Sequence, residues 1–161
     1  MKQFRLLSYL FVAVLCFGFV SCSDDDDDDK NVLTYLSKSY SIGSGEIYNF
    51  EDTNFDIHLY SKGYTENDGQ EMWIELWSSS LEELSNGTYT YKTYPGTAGK
   101  FTNLEIYDQK TESEMSFTNA TVTINKSGDI YEIIVEGKDS ENNKLYAYYR
   151  GTLKYYLGND E

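Results

Sequence analysis

The chain has 161 residues, with 27 acidic and 13 basic side chains and a formal net charge of −14 at pH 7. This acidity argues against nucleic acid as a partner and against docking on anionic lipid head groups, because both would require a basic face. The unusual counts are 16 tyrosines and one proline, and tyrosine is typical of half-buried strands whose hydroxyl groups lie at the wet edge.

Residues 1–21 have the pattern of a secretory signal. Lys2 and Arg5 precede an apolar run from Leu6 to Val20. This run is shorter than the roughly 20 residues that a membrane span needs, and it lies close to the amino terminus. The pattern therefore predicts export from the cytoplasm.

The signal ends in Phe19-Val20-Ser21-Cys22, which resembles a bacterial lipobox, with Phe19 in place of the usual leucine. In lipoproteins of that type the signal is cleaved before the cysteine, which then carries diacylglycerol and an acylated amino terminus. The resemblance implies that Cys22 is lipidated, with acyl chains such as palmitate, and that the bilayer is a partner through this group. An uncleaved amphiphilic anchor and an ordinary signal with a chance cysteine are the alternatives.

Cysteine usage favours lipidation. Cys16 lies inside the signal, so Cys22 would be the only thiol of the mature chain and no disulfide could form within it. Cys22 is followed by Ser23 and an aspartate run, which resembles the export signal of Bacteroidota-type surface lipoproteins. The residues that carry this resemblance are Ser23, Asp24, Asp25 and Asp26. It implies an outer-membrane lipoprotein exposed at the cell surface, and a periplasm-facing lipoprotein is the alternative.

Four segments follow from this interpretation. Residues 1–21 are the lipoprotein signal peptide, 22–31 the acylated cysteine and acidic tether, 32–157 a single β domain and 158–161 a tail. About 140 residues remain after cleavage, which is enough for one domain with its own hydrophobic core.

The domain reads as all-β because apolar residues alternate along short segments that are separated by turn signals. The predicted strands cover residues 32–42, 46–50, 55–60, 71–77, 88–91, 101–106, 114–125, 131–135 and 145–156. We expect turns at 43–45, 67–69 and 126–129, and one helical turn at 80–84, where Ser80 and Glu83 have capping-box spacing.

Eight or nine strands joined by short turns predict an antiparallel meander closed as an up-and-down, lipocalin-like barrel. A two-sheet β-sandwich is the alternative. Residues 87–91, 120–137 and 151–153 resemble β modules of uncharacterised surface lipoproteins from the same bacterial group, over about half of the domain. These motifs are mainly hairpin sequences, so they add little to the functional argument.

The segment 71–77 carries the first candidate ligand contacts. Met72, Ile74 and Leu76 form its inward row, which leaves Trp73, Glu75 and Trp77 on the outer face. Aromatic faces stack on the C–H faces of sugar rings and a carboxylate accepts sugar hydroxyls, so we expect a glycan-contact platform here. The alternative is that the two tryptophans cover a second layer or an end of the barrel.

The last predicted strand carries the second candidate surface. Tyr146, Tyr148 and Arg150 share one face with Tyr156 and Lys154. Aromatic rings beside cations could receive an acidic sugar or an acidic peptide. Cross-strand packing of large rings is the alternative.

Sequence signals for catalysis are few. His58 is the single histidine, at a position that predicts a solvated side chain, and the chain contains no GxSxG, HExxH, P-loop or CxxC motif. The sequence therefore predicts a non-catalytic binding or adhesion module without cofactor or metal, whose ligand is a glycan or a protein. An accessory subunit of an outer-membrane complex and a small apolar-ligand barrel are the alternatives.

Overall fold

The structure, a computed structural model, describes residues 31–158. Cys22, Ser23 and Asp24–Asp26 lie outside these residues, so the predicted lipidation and export sites stay predictions. The described part of the chain contains strands and no helix. The strands are β1 (Val32–Tyr35), β2 (Lys38–Asn49), β3 (Asn54–Ser61), β4 (Gln70–Trp77), β5 (Gly87–Tyr91), β6 (Lys100–Asp108), β7 (Ser113–Ser116), β8 (Asn119–Ser127), β9 (Ile130–Lys138), β10 (Lys144–Thr152) and β11 (Lys154–Leu157).

Nine of these strands form a closed ring in the order β1-β10-β9-β8-β5-β6-β4-β3-β2, and the β1–β2 pair closes it. Neighbours are antiparallel except β5 and β6, which are parallel. The predicted all-β barrel is confirmed, in preference to the sandwich. The 92–99 loop brings the chain back alongside the carboxyl end of β5, where Lys100 lies opposite Thr90, so β6 runs parallel to β5 while its other edge pairs with β4.

The interior is filled by the inward residues of the alternating strands. Met72, Ile74 and Leu76 are fully buried, as their spacing predicts, and Phe55 and Ile57 lie beside them from β3. Each such side chain contributes about 1.5–3 kcal/mol by its removal from water. Apolar burial is therefore sufficient to explain which face of each strand points inward.

The predicted single strand 32–42 is two strands, because the chain reverses at Leu36 and Ser37. Both residues have positive φ, 50° and 61°, and neither is a glycine, asparagine or aspartate, the types that usually adopt positive φ in a hairpin turn. The predicted turn at 43–45 is instead a bulge within β2, where the register with β3 shifts between Ile42 and Ser44. A Cβ on Gly45 would lie 2.5 Å from the Leu153 side chain, so this glycine permits close packing and not chain reversal.

The predicted last strand 145–156 is also two strands. The chain leaves the β9–β10 pair after Thr152, and Leu153 packs against Gly45. β11 then runs parallel to β2, with Tyr156 opposite Tyr48. The predicted helical turn at 80–84 does not form; this loop is held by the Ser78 hydroxyl, which accepts the backbone N–H groups of Ser80 and Ser85.

Candidate binding face

The outer side of β11, β2, β3, β4 and β6 carries aromatic rings that the barrel interior does not use. Side chains alternate between the two faces of a strand, so these rings point away from the core formed by the intervening residues. All of them are half-buried. We call this surface the outer aromatic face; its rings are Tyr48, His58, Tyr60, Tyr64, Trp73, Tyr107 and Tyr156.

Most of these rings contact one another in a continuous series across four strands and the adjoining 62–69 loop. Tyr156 stacks on Tyr48 with centroids 4.9 Å apart, and the Tyr48 ring meets His58 edge-on at 5.2 Å. His58 stacks on Trp73 at 6.1 Å with 10° between the ring planes. On its own strand, His58 also stacks on Tyr60, whose ring lies 4.7 Å from that of Tyr64.

Glu46 organises one side of the face. Its carboxylate accepts the hydroxyl groups of Tyr48 at 2.9 Å, Tyr60 at 3.3 Å and Tyr156 at 3.1 Å. Burial, followed by the hydrogen bond to Glu46, raises the pKa of Tyr48 to about 12. Tyr48 is therefore a neutral donor at physiological pH, and the three hydrogen bonds to Glu46 hold the rings at their hydroxyl ends.

The Glu71 carboxylate holds two side chains at the centre of the outer aromatic face. It accepts a hydrogen bond from His58 Nδ1 at 2.6 Å and from the Tyr64 hydroxyl at 2.9 Å. The bond from His58 is the main reason that the pKa of Glu71 lies below its usual value. The Tyr64 oxygen in turn accepts a bond from Gln109 Nε2 at 2.5 Å.

Asp56 lies beside the indole of Trp73, on the same outer side of β3 as His58. The Trp73 Nε1–H donates to Asp56 Oδ2 at 2.9 Å, and Asp56 is only 8% exposed. Burial is the largest cause of an Asp56 pKa raised to about 6. The second oxygen, Oδ1, has no hydrogen-bond donor among the described residues.

The predicted platform of Trp73, Glu75 and Trp77 is on the outward face but does not form one open surface. Glu75 accepts bonds from Asn54 and Thr102, and Trp77 Nε1 donates to Thr102 at 2.9 Å. The 92–99 loop covers Trp77: Tyr94 lies 6.1 Å from its ring, and a Cβ on Gly96 would fall inside the indole. Of the three residues, Trp73 lines an open hollow on the outer face.

The second predicted surface is divided. Tyr146, Tyr148 and Arg150 lie on the outer side of β10, where the Tyr148 hydroxyl donates to Glu132 at 3.1 Å. Tyr146, 40% exposed, lines an open hollow of about 630 Å³. The prediction that Tyr156 and Lys154 continue this surface is wrong, because β11 pairs with β2 and brings Tyr156 into the outer aromatic face.

His58 is the functional candidate that sequence reasoning missed. The alternation of β3 correctly places it on the outward face, but the side chain is not solvated: it is 21% exposed and enclosed by Tyr48, Tyr60 and Trp73. Only the pairing of β3 with β2 and β4 brings those rings to it. No local signal in the sequence gives that pairing.

Two hollows lie on the outer aromatic face, one on each side of Tyr64 and Glu71. A groove of about 540 Å³ runs along the bulge of β2 and is lined by Gly43, Ser44, Glu46, Tyr60, Ser61, Lys62, Gly63 and Tyr64. A smaller hollow of about 170 Å³, here called the Trp73 hollow, is lined by Glu71, Trp73, Glu105, Tyr107 and Glu114. The face thus offers two recesses with different chemistry, separated by the Tyr64–Glu71 hydrogen bond.

No family model, curated protein or solved structure matches this chain. Across residues 31–158, no three or more histidine, cysteine or acidic side chains are grouped so as to hold a metal ion. The same residues include no helix with the length and hydropathy needed to cross a bilayer.

Proposed function

We propose that the chain is a lipid-anchored, surface-exposed, non-catalytic binding module that recognises a glycan through its outer aromatic face. The observation that carries the proposal is the location of the rings. They stand on the outside of a barrel whose interior is already filled by other side chains. Apolar surface left in contact with water costs about 25 cal/mol per Å², so a concentration of rings on one outer face favours a recognition role.

The chemistry of the groove suits a polyhydroxylated ligand. The Tyr60 and Tyr64 rings provide faces for stacking, Glu46 accepts hydroxyl groups, and Ser44 and Lys62 add polar contacts at the rim. Its volume falls within the roughly 300–1,000 Å³ typical of ligand sites. Because hydrogen bonds to Glu46 and Glu71 already fix the rings, little side-chain freedom would be lost on binding.

A glycan array tests this proposal with the full chain. We expect the unmodified chain to retain a defined set of glycans and the Tyr60→Ala, Trp73→Ala double variant to lose them. The matched control is the Tyr146→Ala, Tyr148→Ala double variant, which removes two rings from the other candidate surface. Retention by a folded outer-face variant, or loss only in the control variant, would show that the glycan does not bind the outer aromatic face.

The anchor is a separate part of the proposal, supported by the lipobox resemblance. Metabolic labelling with an alkyne analogue of palmitate should mark the chain, and Cys22→Ala should abolish the label. Cys16→Ala is the matched control, since this cysteine leaves with the signal and its loss should not change labelling. A labelled Cys22→Ala chain would contradict the predicted attachment site.

Replacement of Asp24–Asp26 by alanine should leave acylation intact and remove the chain from the reach of protease added to whole cells.

One observation favours a second candidate, an accessory subunit of an outer-membrane complex. β7 and β11 lie outside the closed ring and pair on one side only with described strands, and such edges can accept a strand from another protein. Neighbouring genes for fimbria-like proteins or transporters would favour this role, whereas polysaccharide-uptake genes would favour glycan binding. The apolar-ligand alternative needs a roomy interior, and the core side chains occupy that space.

A further inference from the structure

One wall of the Trp73 hollow is the Trp73 indole, of which one face is covered by His58 and the other is open. Across the β3–β4 pair Trp73 lies opposite His58, whose imidazole stacks on the indole. Across the β4–β6 pair it lies opposite Glu105. The indole face that His58 does not cover is therefore turned towards β6, where the hollow lies. Tyr107, opposite Glu71 on the next strand, forms the second aromatic wall.

The hollow has negative charge on several sides and no lysine or arginine among its lining residues. Glu71 is engaged by His58, and Glu105 accepts the Ser116 hydroxyl at 3.1 Å. Glu114 lies opposite Tyr107 on β7, and its side chain makes no hydrogen bond or ion pair with a described residue. Its carboxylate is therefore available to a ligand.

The carboxylate of Asp56, which lies beside Trp73 and outside the lining of the hollow, also favours positive charge at this indole. Asp56 is more than nine-tenths buried, one of its oxygens has no donor, and the other accepts the Trp73 N–H. A carboxylate on the indole N–H increases electron density on the ring system, which strengthens the attraction of a cation to the open indole face. The connection between Asp56 and the hollow is the indole itself, because Asp56 accepts the Trp73 N–H and does not line the hollow.

We propose that the Trp73 hollow binds the ammonium group of an amino sugar, with Trp73 and Tyr107 as cation–π walls and Glu105 and Glu114 as countercharges. The volume of about 170 Å³ accommodates a small cationic group and not a whole oligosaccharide. The neighbouring groove supplies hydroxyl-binding groups for the remainder of the glycan. The proposal that the ligand is a sugar therefore rests on the proposed function. The proposal that the hollow binds a cation does not depend on it.

The test follows the indole N–H signals of the two tryptophans by NMR while the full chain is titrated with small probes. Glucosamine is the amino-sugar probe, N-acetylglucosamine is its neutral counterpart, and Nα-acetyl-lysine amide carries an ammonium group without a sugar. A Trp77→Phe variant assigns the Trp73 signal. We expect glucosamine to shift that signal and to bind at least about tenfold more tightly than N-acetylglucosamine.

Glu114→Gln should weaken glucosamine binding about threefold without affecting the fold, because this side chain is exposed. Glu136→Gln is the matched control, an exposed outward glutamate on β9, away from the hollow. Equal binding of both sugars, or no effect of Glu114→Gln, overturns the ammonium site. Binding of the lysine amide without binding of glucosamine contradicts the amino-sugar assignment. If neutral glycans still bind on the array while the ammonium preference is absent, this inference fails and the proposed function stands.

Discussion

Strands β3 and β4 contribute one face to the barrel interior and the other to the outer aromatic face. The interior of β3 and β4 is aliphatic and aromatic, with Phe55, Ile57 and Ile74 packed away from water. On the other side of the same strands, His58 and Trp73 are held by carboxylates and remain partly accessible. The inner side is specified by burial alone, whereas the outer side depends on which polar partner the neighbouring strand supplies. We therefore expect the interior to carry most of the stability, and the proposed recognition role belongs to the outer face.

Truncation in the interior should give the largest effect. Phe55→Ala removes a fully buried ring, leaves a cavity and should lower the free energy of unfolding by about 3–5 kcal/mol. Chemical denaturation of the two chains measures the difference. A loss below about 1 kcal/mol would mean that the interior is not close-packed.

The equivalent truncation on the outer face should cost less. Trp73→Ala removes a half-buried ring that stacks on His58 and donates one hydrogen bond, so we expect a loss of about 1–2 kcal/mol. The same denaturation experiment applies, with circular dichroism as the control for retained β structure. If this loss equalled that of Phe55→Ala, the two regions would not differ in their contribution to folding.

Asp56→Asn should stabilise the protein at pH 8 and have little effect at pH 4. Burial raises the pKa of Asp56 from 3.8 to about 6, so the folded state binds the proton more tightly than the unfolded state. Ionised Asp56 thus costs stability above pH 6, and this cost is relieved as the pH falls from 6 towards 4. We expect a gain of about 1–2 kcal/mol at pH 8, while the asparagine oxygen still accepts the Trp73 N–H. A pH series of denaturation curves checks both the sign and the window.

Glu71 should have the opposite pH dependence. Its pKa lies below the usual 4.5, mainly because His58 donates to it. The resulting stability is present above pH 4.5 and is lost as the pH falls through the lowered pKa. Glu71→Gln should cost about 0.5–1 kcal/mol at pH 7, a range that allows for solvent screening of this half-buried group. The difference between the two chains should shrink at pH 3, and a difference that is constant with pH would contradict the account.

The smallest change in the free energy of unfolding is expected in the 92–99 loop. Tyr94 is 74% exposed, and its ring lies against that of Trp77 at the edge of the outer aromatic face. Tyr94→Ala should change the free energy of unfolding by less than about 0.5 kcal/mol, with a small change in Trp77 fluorescence. A loss comparable to that of Trp73→Ala would mean that the covering loop is part of the fold and not an accessory to it.

The sequence is sufficient to predict which residues face inward, because alternation and burial are local properties. The row of Met72, Ile74 and Leu76 and the turn at Gly69, whose φ is 109°, follow from spacing and residue type. The reversal at Leu36–Ser37 and the break at Leu153 could not be predicted, since both depend on contacts with distant strands.

The candidate site was predicted less completely than the fold. Trp73 is outward, as its place in the alternation predicts, but Trp77 is covered by a loop whose path no local pattern indicates. Tyr48, Tyr156 and His58 join Trp73 only because β11 pairs with β2 and β2 pairs with β3. Prediction of a candidate face assembled across four strands therefore requires the topology, whereas prediction of the inward row of one strand does not.

Calorimetric titration with a glycan identified on the array tests the division between the two regions most directly. The account predicts that Tyr60→Ala weakens binding at least about tenfold, with its fold retained. It also predicts that Phe55→Leu, an interior change that lowers stability, leaves the affinity unchanged. Unchanged affinity in folded Tyr60→Ala, or loss of affinity in folded Phe55→Leu, would contradict the assignment of recognition to the outer aromatic face.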